Sequence, residues 1–499
     1  MKEAKKDIID DKYKWWILLT VIVGTFLSRL DQTIVNLALP KIIDDFGITV
    51  SAAGWIATSY ILANAVLVPV WGKLGDKIGR KKVYIIGFSI FILGSVLAGL
   101  AWNLSSMIVF RVLQAIAGSA DYPTAMAIIA VTFKEGKERA QALGIWSVSF
   151  AAAAVFGPLL GGPLIDNFGW RSVFIINLPI GLIGLLMAIY FIHESKSEEV
   201  SKKFDWFGAI TLGIALAALV LVLDKGMEWG WLSTKSMISY IIMIVFFIIF
   251  YYIEKDHEDP IVDFKSFKNS IYVNTLFNNF ITFMGLMGGI FLVPVFAQLF
   301  LGYNATMTGY LFIPMAFAMV IAAQIGSRLT GKVRADKVIV ISTFLTGVGM
   351  YLFTLTIDAR ATAMDIIIPL TVMSFGLGLA MSQRTNAVAS IVPEKEIGMA
   401  SSVLALVRNI AGAFGIAVFA TILKYATENN VLELAKNSFI HTTDPTIYAQ
   451  FVSLITLKAQ ISAYHTVFLV ASILLFIGTI MAMFVKIEEK KDAKEIHIE

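Results

Sequence analysis

The sequence contains no cysteine, which excludes disulfides, covalent haem attachment and thiolate metal sites. It is also poor in charge: only 15% of its 499 residues are Asp, Glu, Lys or Arg, against 58% hydrophobic residues. Its five histidines, at 193, 257, 441, 465 and 497, are too scattered for a metal site or a nucleophile–histidine pair. A phosphate-binding G-x-x-x-x-G-K-[ST] loop is absent, so ATP hydrolysis within this chain is not the source of energy. No cofactor and no nucleic-acid partner is expected, and the composition does not suggest an enzyme.

What the chain has instead is apolar length. A mean hydropathy of +0.77 leaves too few polar side chains to cover a water-facing surface, so lipid must do the covering. About 20 apolar residues are needed per crossing of the hydrocarbon layer. The stretch from Trp15 is too long for a signal-peptide core and has no small-x-small cleavage site, so it reads as a retained first helix. Apolar segments then predict 14 spans, at 15–39, 52–72, 83–101, 105–131, 140–165, 172–193, 207–223, 236–254, 271–300, 306–328, 337–357, 364–390, 399–423 and 464–486. With the N-terminus cytoplasmic, 28 of the 40 Lys and Arg fall on the cytoplasmic side, eight outside and four within spans. That asymmetry predicts a multi-pass protein of the plasma (inner) membrane with both termini in the cytoplasm.

A weak repeat points to two halves. The basic, glycine-punctuated loop 72–83 follows the second span, and a similar segment, Gly326 to Arg334, follows the tenth. The expected organisation is a cytoplasmic N-terminus (1–14), a six-helix bundle (15–193) and a linker with two extra helices (194–270). A second six-helix bundle (271–486), with an external segment at 425–463, and a tail (487–499) complete it. Asn429-Asn430 and Asp444-Pro445 mark turns in the external segment, which could form a hairpin or a helix.

Polar residues inside the spans are the functional candidates, because a charge at mid-membrane costs about 2.5–3.5 kcal/mol on insertion scales. Asp31 in span one is the first, and a poorly hydrated carboxylate there is a plausible proton carrier. Arg29, two positions away, lies on another face, where it either pairs with an acid on a different helix or snorkels. In span four, Arg111, Gln114, Gly118 and Asp121 fall within a sector of about 80°, a polar stripe expected to face a central cavity. Asp121 serves protons or a cationic substrate there, or pairs with an arginine. Asn36, Gln114, Asn278 and Gln298 are expected in the substrate cavity, with Asn279 and Gln324 as further candidates. Arg384 is expected to snorkel near an interface.

Six segments resemble one family. Gly72-Lys73-Leu74-Gly75-Asp76-Lys77-Ile78-Gly79-Arg80-Lys81-Lys82 is similar to the loop signature between helices two and three of the major facilitator superfamily. Its glycines permit a tight turn, and Gly72, Gly75, Asp76, Gly79 and Arg80 are expected to act as a gating latch. Leu30 to Pro40 resembles the helix-one motif of the 14-helix drug–proton antiporters. Arg111 to Gly118 is similar to the superfamily's R-x-x-Q-G-x-G, with Ala115 in place of glycine. Gly157, Pro158, Gly161 and Gly162 resemble the antiporter motif of helix five, although Ala153 replaces its first glycine. Trp170 to Gly181 and the region from Val392-Pro393 through Gly398, Ser401-Ser402 and Arg408 to Gly415 resemble the same branch.

The resemblance implies an all-α membrane fold, two six-helix bundles plus two inserted helices. It further implies proton-coupled export of small lipophilic, cationic compounds by alternating access, with Arg111 tuning Asp31 and with protons and membrane lipids as the other partners. Lipid or glycolipid export by the same fold and a non-transporting membrane sensor are the alternatives. A metabolite–proton symporter is disfavoured by the helix-five motif.

Overall fold

The computed structural model describes residues 11–133, 137–195, 205–257, 260–262, 264–330, 332–389, 397–437 and 444–483. The tail 487–499, Gly331 and Val392-Pro393 lie outside them, as do the side-chain surroundings of Gly72, Asp76, Gly398, Ser401 and Ser402.

The first half comprises α1 (Asp11–Phe46), α2 (Val50–Ile78), α3 (Arg80–Gly99), α4 (Leu104–Gly118), α5 (Asp121–Thr132), α6 (Lys137–Phe168), α7 (Ser172–Ile175) and α8 (Asn177–Phe191). Then come α9 (Trp206–Trp229) and α10 (Thr234–Asp256). The second half comprises α11 (Ser270–Leu299), α12 (Ala305–Leu329), α13 (Ala335–Thr356), α14 (Ala363–Leu379), α15 (Met381–Ala389), α16 (Ile397–Lys436) and α17 (Pro445–Met483).

Among the described residues, twelve helices are long and apolar enough to cross a membrane. The two remaining predicted spans are helical as well. The fourth is broken at Ser119-Ala120 into α4 and α5, and the fifth is α6, with prolines at 158 and 163 inside it. Outward-facing side chains are apolar, most densely on α10, where Ile238, Ile241, Ile244, Val245 and Ile248 are exposed. Lipid is the solvent such a face requires.

Within the first half α1 packs on α6 and α8, and α3 on α4 and α8. Within the second, α12 and α13 pack on α14, and α11 and α13 on α17. The halves meet where α6 lies on α12, α2 on α16 and α1 on α11. The inserted α9 seals one seam between them. Asp224 accepts from Ser51 Oγ (2.6 Å) and Trp55 Nε1 (2.7 Å) of α2, while Thr421 Oγ1 of α16 donates to the Leu223 carbonyl (3.3 Å). The expected external segment continues as helix on both sides. At 1.5 Å per residue α16, with 40 residues, runs about 60 Å, twice the hydrocarbon thickness. Its extension pairs with that of α17 through Asn430 Nδ2 and the Ala459 carbonyl (3.2 Å).

The two faces of the molecule differ. On the face opposite the N-terminus, one apolar cluster joins both halves, running from Leu37, Ile42 and Ile56 to Phe291, Leu311 and Ile416. Two further clusters stay within single halves, Ile17, Tyr84, Ile129 and Trp146 in the first and Ile339, Ala380 and Ala482 in the second. A third joins Leu62 and Ala65 of α2 through α9 to Tyr272, Leu276 and Leu404 of the second half. Polar ties also bridge the far face. The Asp166 carboxylate at the end of α6 accepts from Ala305 N (3.0 Å), Thr306 N (2.9 Å) and Thr306 Oγ1 (2.6 Å), capping α12. A carboxylate against a helix N-terminus is held by both the free N–H groups and the helix dipole. Gln298 Nε2 donates across the same interface to the Leu37 carbonyl (2.9 Å).

The cysteine-free chain makes this closure easy to test. The double variant Asp166→Cys/Thr306→Cys is expected to cross-link on mild oxidation and to lose transport until reduced. Full transport by the cross-linked protein would show that the far face need not open.

Candidate transport site

Asp31 is fully buried, and it is not alone. Its Oδ2 accepts from Arg111 Nη1 at 2.6 Å, and its Oδ1 accepts from Gln114 Nε2 and Asn177 Nδ2, each at 2.9 Å. Gln114 also accepts from Arg111 Nη1 (2.6 Å), and Ser95 Oγ lies against both amides. The Arg111 guanidinium sits over the Tyr60 ring, 4.1 Å from its centroid. Residues from α1, α2, α3, α4 and α8 therefore close around one ion pair. Such a pair survives burial only when its remaining donors and acceptors are satisfied, which the two amides accomplish here.

Asp121 is held differently. Opening α5 just after the break at Ser119-Ala120, it is buried, and its Oδ1 accepts only from Thr25 Oγ1 (3.2 Å), which in turn takes a bond from Trp146 Nε1 (3.0 Å). Its Oδ2 has no hydrogen-bond partner. Ser28, Tyr84, Phe88, Phe91, Gly118 and Asp121 line a small chamber of about 10 Å³, room for about one water. Arg29 bonds Gln32 Oε1 (3.3 Å), and its charge acts on Asp121 and, across the interface, on Arg408. Adding a proton to Asp121 breaks no ion pair, whereas protonating Asp31 must break one.

The other predicted positions divide. Asn36 is half-buried on α1. Three of the four positions expected in a substrate cavity are engaged elsewhere. Gln114 belongs to the Asp31 network, Gln298 ties the far face, and Asn278 lies inside the second half with Thr343 and Arg384. Each amide is thus hydrogen-bonded within the protein. Arg384 does not snorkel: it is 1% exposed, with its head group among α11 and α13.

In the loop signature, Gly72, Gly75 and Asp76 are still within α2, so the two glycines do not form the turn expected of them. The turn is made at Gly79 alone, at φ 119°, a conformation that favours glycine. Arg80 then starts α3, with its N–H donating to the Ser195 carbonyl (3.0 Å) and Lys81 N donating to Glu194 Oε1 (3.2 Å).

The helix-five glycines serve two seams. A methyl at Gly157 or Gly161 would collide with Thr33 or Ile34 of α1, and one at Gly162 with the Thr306 backbone of α12. Pro158 meets Gly309 of α12 on that second side. This contact lies between the halves, where small residues permit close approach and sliding.

Sequence reasoning passed over Asn177, Ser95, Tyr60, Asp166 and Asp224. Asn177 had a signal, being an amide in an otherwise apolar helix. The others needed the fold to show which helices they face.

The family model described as Major Facilitator Superfamily matches residues 21–416. The chain belongs to that superfamily. Among its relatives is the multidrug transporter protein MdtP of Bacillus subtilis, 32% identical over 82% of this chain and 75% of that protein. The multidrug resistance protein Stp of Mycobacterium tuberculosis is 30% identical over 81% and 76%. The fold also matches the inward-facing, unoccupied crystal structure of a bacterial homolog to the human lysosomal transporter Spinster. That match has a TM-score of 0.68 and 15% identity, covering 96% of this chain and 100% of that one. This member of the superfamily is thus a multi-pass membrane protein whose relatives are named for multidrug transport and export.

The two aspartates should separate on stability. Asp31→Asn leaves Arg111 buried without its counter-charge and is expected to cost about 3–5 kcal/mol. Asp121→Asn keeps the Thr25 bond and should cost less than about 1 kcal/mol. Thermal unfolding of the purified variants checks this, and equal losses would contradict it.

Proposed function

We propose that the protein exports small lipophilic compounds, cations among them, in exchange for protons by alternating access. It would act in the plasma membrane with both termini in the cytoplasm. Asp121 carries the reading: a buried carboxylate with one unpartnered oxygen, beside a water-sized chamber. A proton there removes the charge that would attract a cation, and its loss restores that charge, so proton and substrate compete for one group. The Asp31–Arg111 pair is the rigid element on which span four is mounted, so a charge change at Asp121 can be felt along the same helix pair.

In this orientation the far face is external, and the sealed face between α6 and α12 is the outward gate. The units 15–193 and 271–486 rock about the α6–α12 and α1–α11 contacts, with 194–270 as linker. The loop from Gly72 to Arg80 latches the cytoplasmic side, and Gly157, Pro158, Gly161 and Gly162 provide the sliding surface. The drive is about 1.36 kcal/mol per proton per pH unit. Exchange of one proton for one monocation moves no net charge, so the membrane potential would add nothing.

The test uses the full chain in proteoliposomes with ethidium as the transported cation. An imposed pH gradient should drive ethidium accumulation by the wild type. Asp121→Asn should abolish the gradient-driven part while downhill ethidium exchange persists. Unchanged gradient-driven accumulation in Asp121→Asn would remove this residue from the mechanism.

A further inference from the structure

The two halves place an arginine in equivalent settings but treat it differently. In the first half, Arg111 on the fourth span meets Asp31 on the first, with Ser95 of the third and Asn177 of the sixth completing the cluster. In the second half, Arg384 is on the fourth span, in α15. Its Nε donates to Asn278 Oδ1 of the first, α11, at 3.1 Å. Its Nη2 donates to Thr282 Oγ1 of α11 (3.0 Å) and Thr343 Oγ1 of the third, α13 (3.5 Å). Asn278 Nδ2 reaches Thr343 Oγ1 (2.9 Å) and the Gly478 carbonyl of the sixth, α17 (3.4 Å). The four helix positions correspond, yet an amide stands where the first half has a carboxylate.

The neutral partners are arranged to accept. Thr282 sends its hydroxyl proton to the Asn278 carbonyl (2.7 Å) and Thr343 to the Ile339 carbonyl (2.8 Å), so both oxygens offer lone pairs to the guanidinium. They solvate one edge of the charge without balancing it. Nη1 has no hydrogen-bond partner, although Arg384 is 1% exposed and Asn278 3%. Arg384 makes no ion pair with a described residue. An arginine stays charged, and a buried charge with no counter-charge is among the costliest arrangements a protein can hold. A guanidinium with a free N–H edge is also the geometry that selects a halide or a carboxylate.

We propose that Arg384, framed by Asn278, Thr282 and Thr343, is a binding site for a small monovalent anion, either a halide or the carboxylate of an organic molecule. The anion supplies in trans the charge that Asp31 supplies in cis to Arg111. Binding therefore favours the packed arrangement of α11, α13 and α15.

The test is thermal unfolding of the purified full chain at constant ionic strength in sodium chloride, benzoate or gluconate. Gluconate is the non-binding reference, because its polyhydroxyl chain would have to be stripped of water to bring its carboxylate to the dry Arg384 site. A ligand that binds the folded state selectively is expected to raise the midpoint by about 2–4 °C. A rise in both chloride and benzoate identifies a site open to free small anions. A rise in benzoate alone identifies a site for an organic carboxylate. Two variants should abolish the response: Asn278→Asp, which installs the missing carboxylate, and Arg384→Gln, which removes the charge. Asn278→Asp should in addition be as stable in gluconate as the wild type is in chloride or benzoate. Identical wild-type midpoints in all three salts would overturn the proposal, as would an anion response that survives in either variant that folds.

Discussion

Hydrocarbon offers a polar group no partner, and every polar placement in this molecule answers to that constraint. Backbone groups meet it by forming helices. Side chains meet it best in company, and Asp31 is found with Arg111, Gln114, Asn177 and Ser95 instead of facing lipid or open water. Helices contributing to this cluster are pinned to one another at a shared depth. Packing of small residues does the rest, because apolar side chains gain little by leaving lipid for one another. Gly94 against Gln114 and Gly157 against Thr33 are contacts of this kind, in which a missing side chain brings two helices close enough for a polar pair to form.

The same constraint explains how a bundle so tightly pinned within each half can still move between halves. Contacts inside a half are buried ionic and amide networks, which are costly to break. Contacts between halves are of a different kind: a carboxylate on a helix end, an amide on a carbonyl, glycine on backbone, and apolar packing. Asp166 can exchange its α12 partners for water once the face opens, at little net cost. Rigid halves joined by exchangeable contacts form a two-state element, the kind that the proton we propose at Asp121 would bias.

Much of the frame was legible in the sequence, because a span is a property of about 20 consecutive residues and needs no tertiary information. The Arg111–Gln114–Asp121 stripe was legible for a similar reason, since residues on one helix share a face by periodicity. What periodicity cannot supply is the partner. Gln298, Gln114 and Asn278 look alike as amides in apolar helices, yet one ties the two halves, one completes an ion pair and one frames a buried arginine. Arg384 was misread because its neighbours in sequence, Ser382 to Asn386, suggest a helix end near water. The polar atoms that hold it are about 40 to 100 residues away, on α11 and α13. The glycine-rich loop misled differently: glycines at 72 and 75 look like turn residues but serve inside α2, and only the positive φ of Gly79 makes the turn.

In the mechanism we propose, Asp31 stays paired with Arg111 while Asp121 takes up and gives back the proton. Infrared difference spectroscopy of the reconstituted protein across a pH titration observes this directly, through the carbonyl stretch of a protonated carboxylic acid. The band that grows on acidification should vanish in Asp121→Asn. A band that survives in Asp121→Asn and is lost only in Asp31→Asn would place the proton on the paired acid and contradict the account.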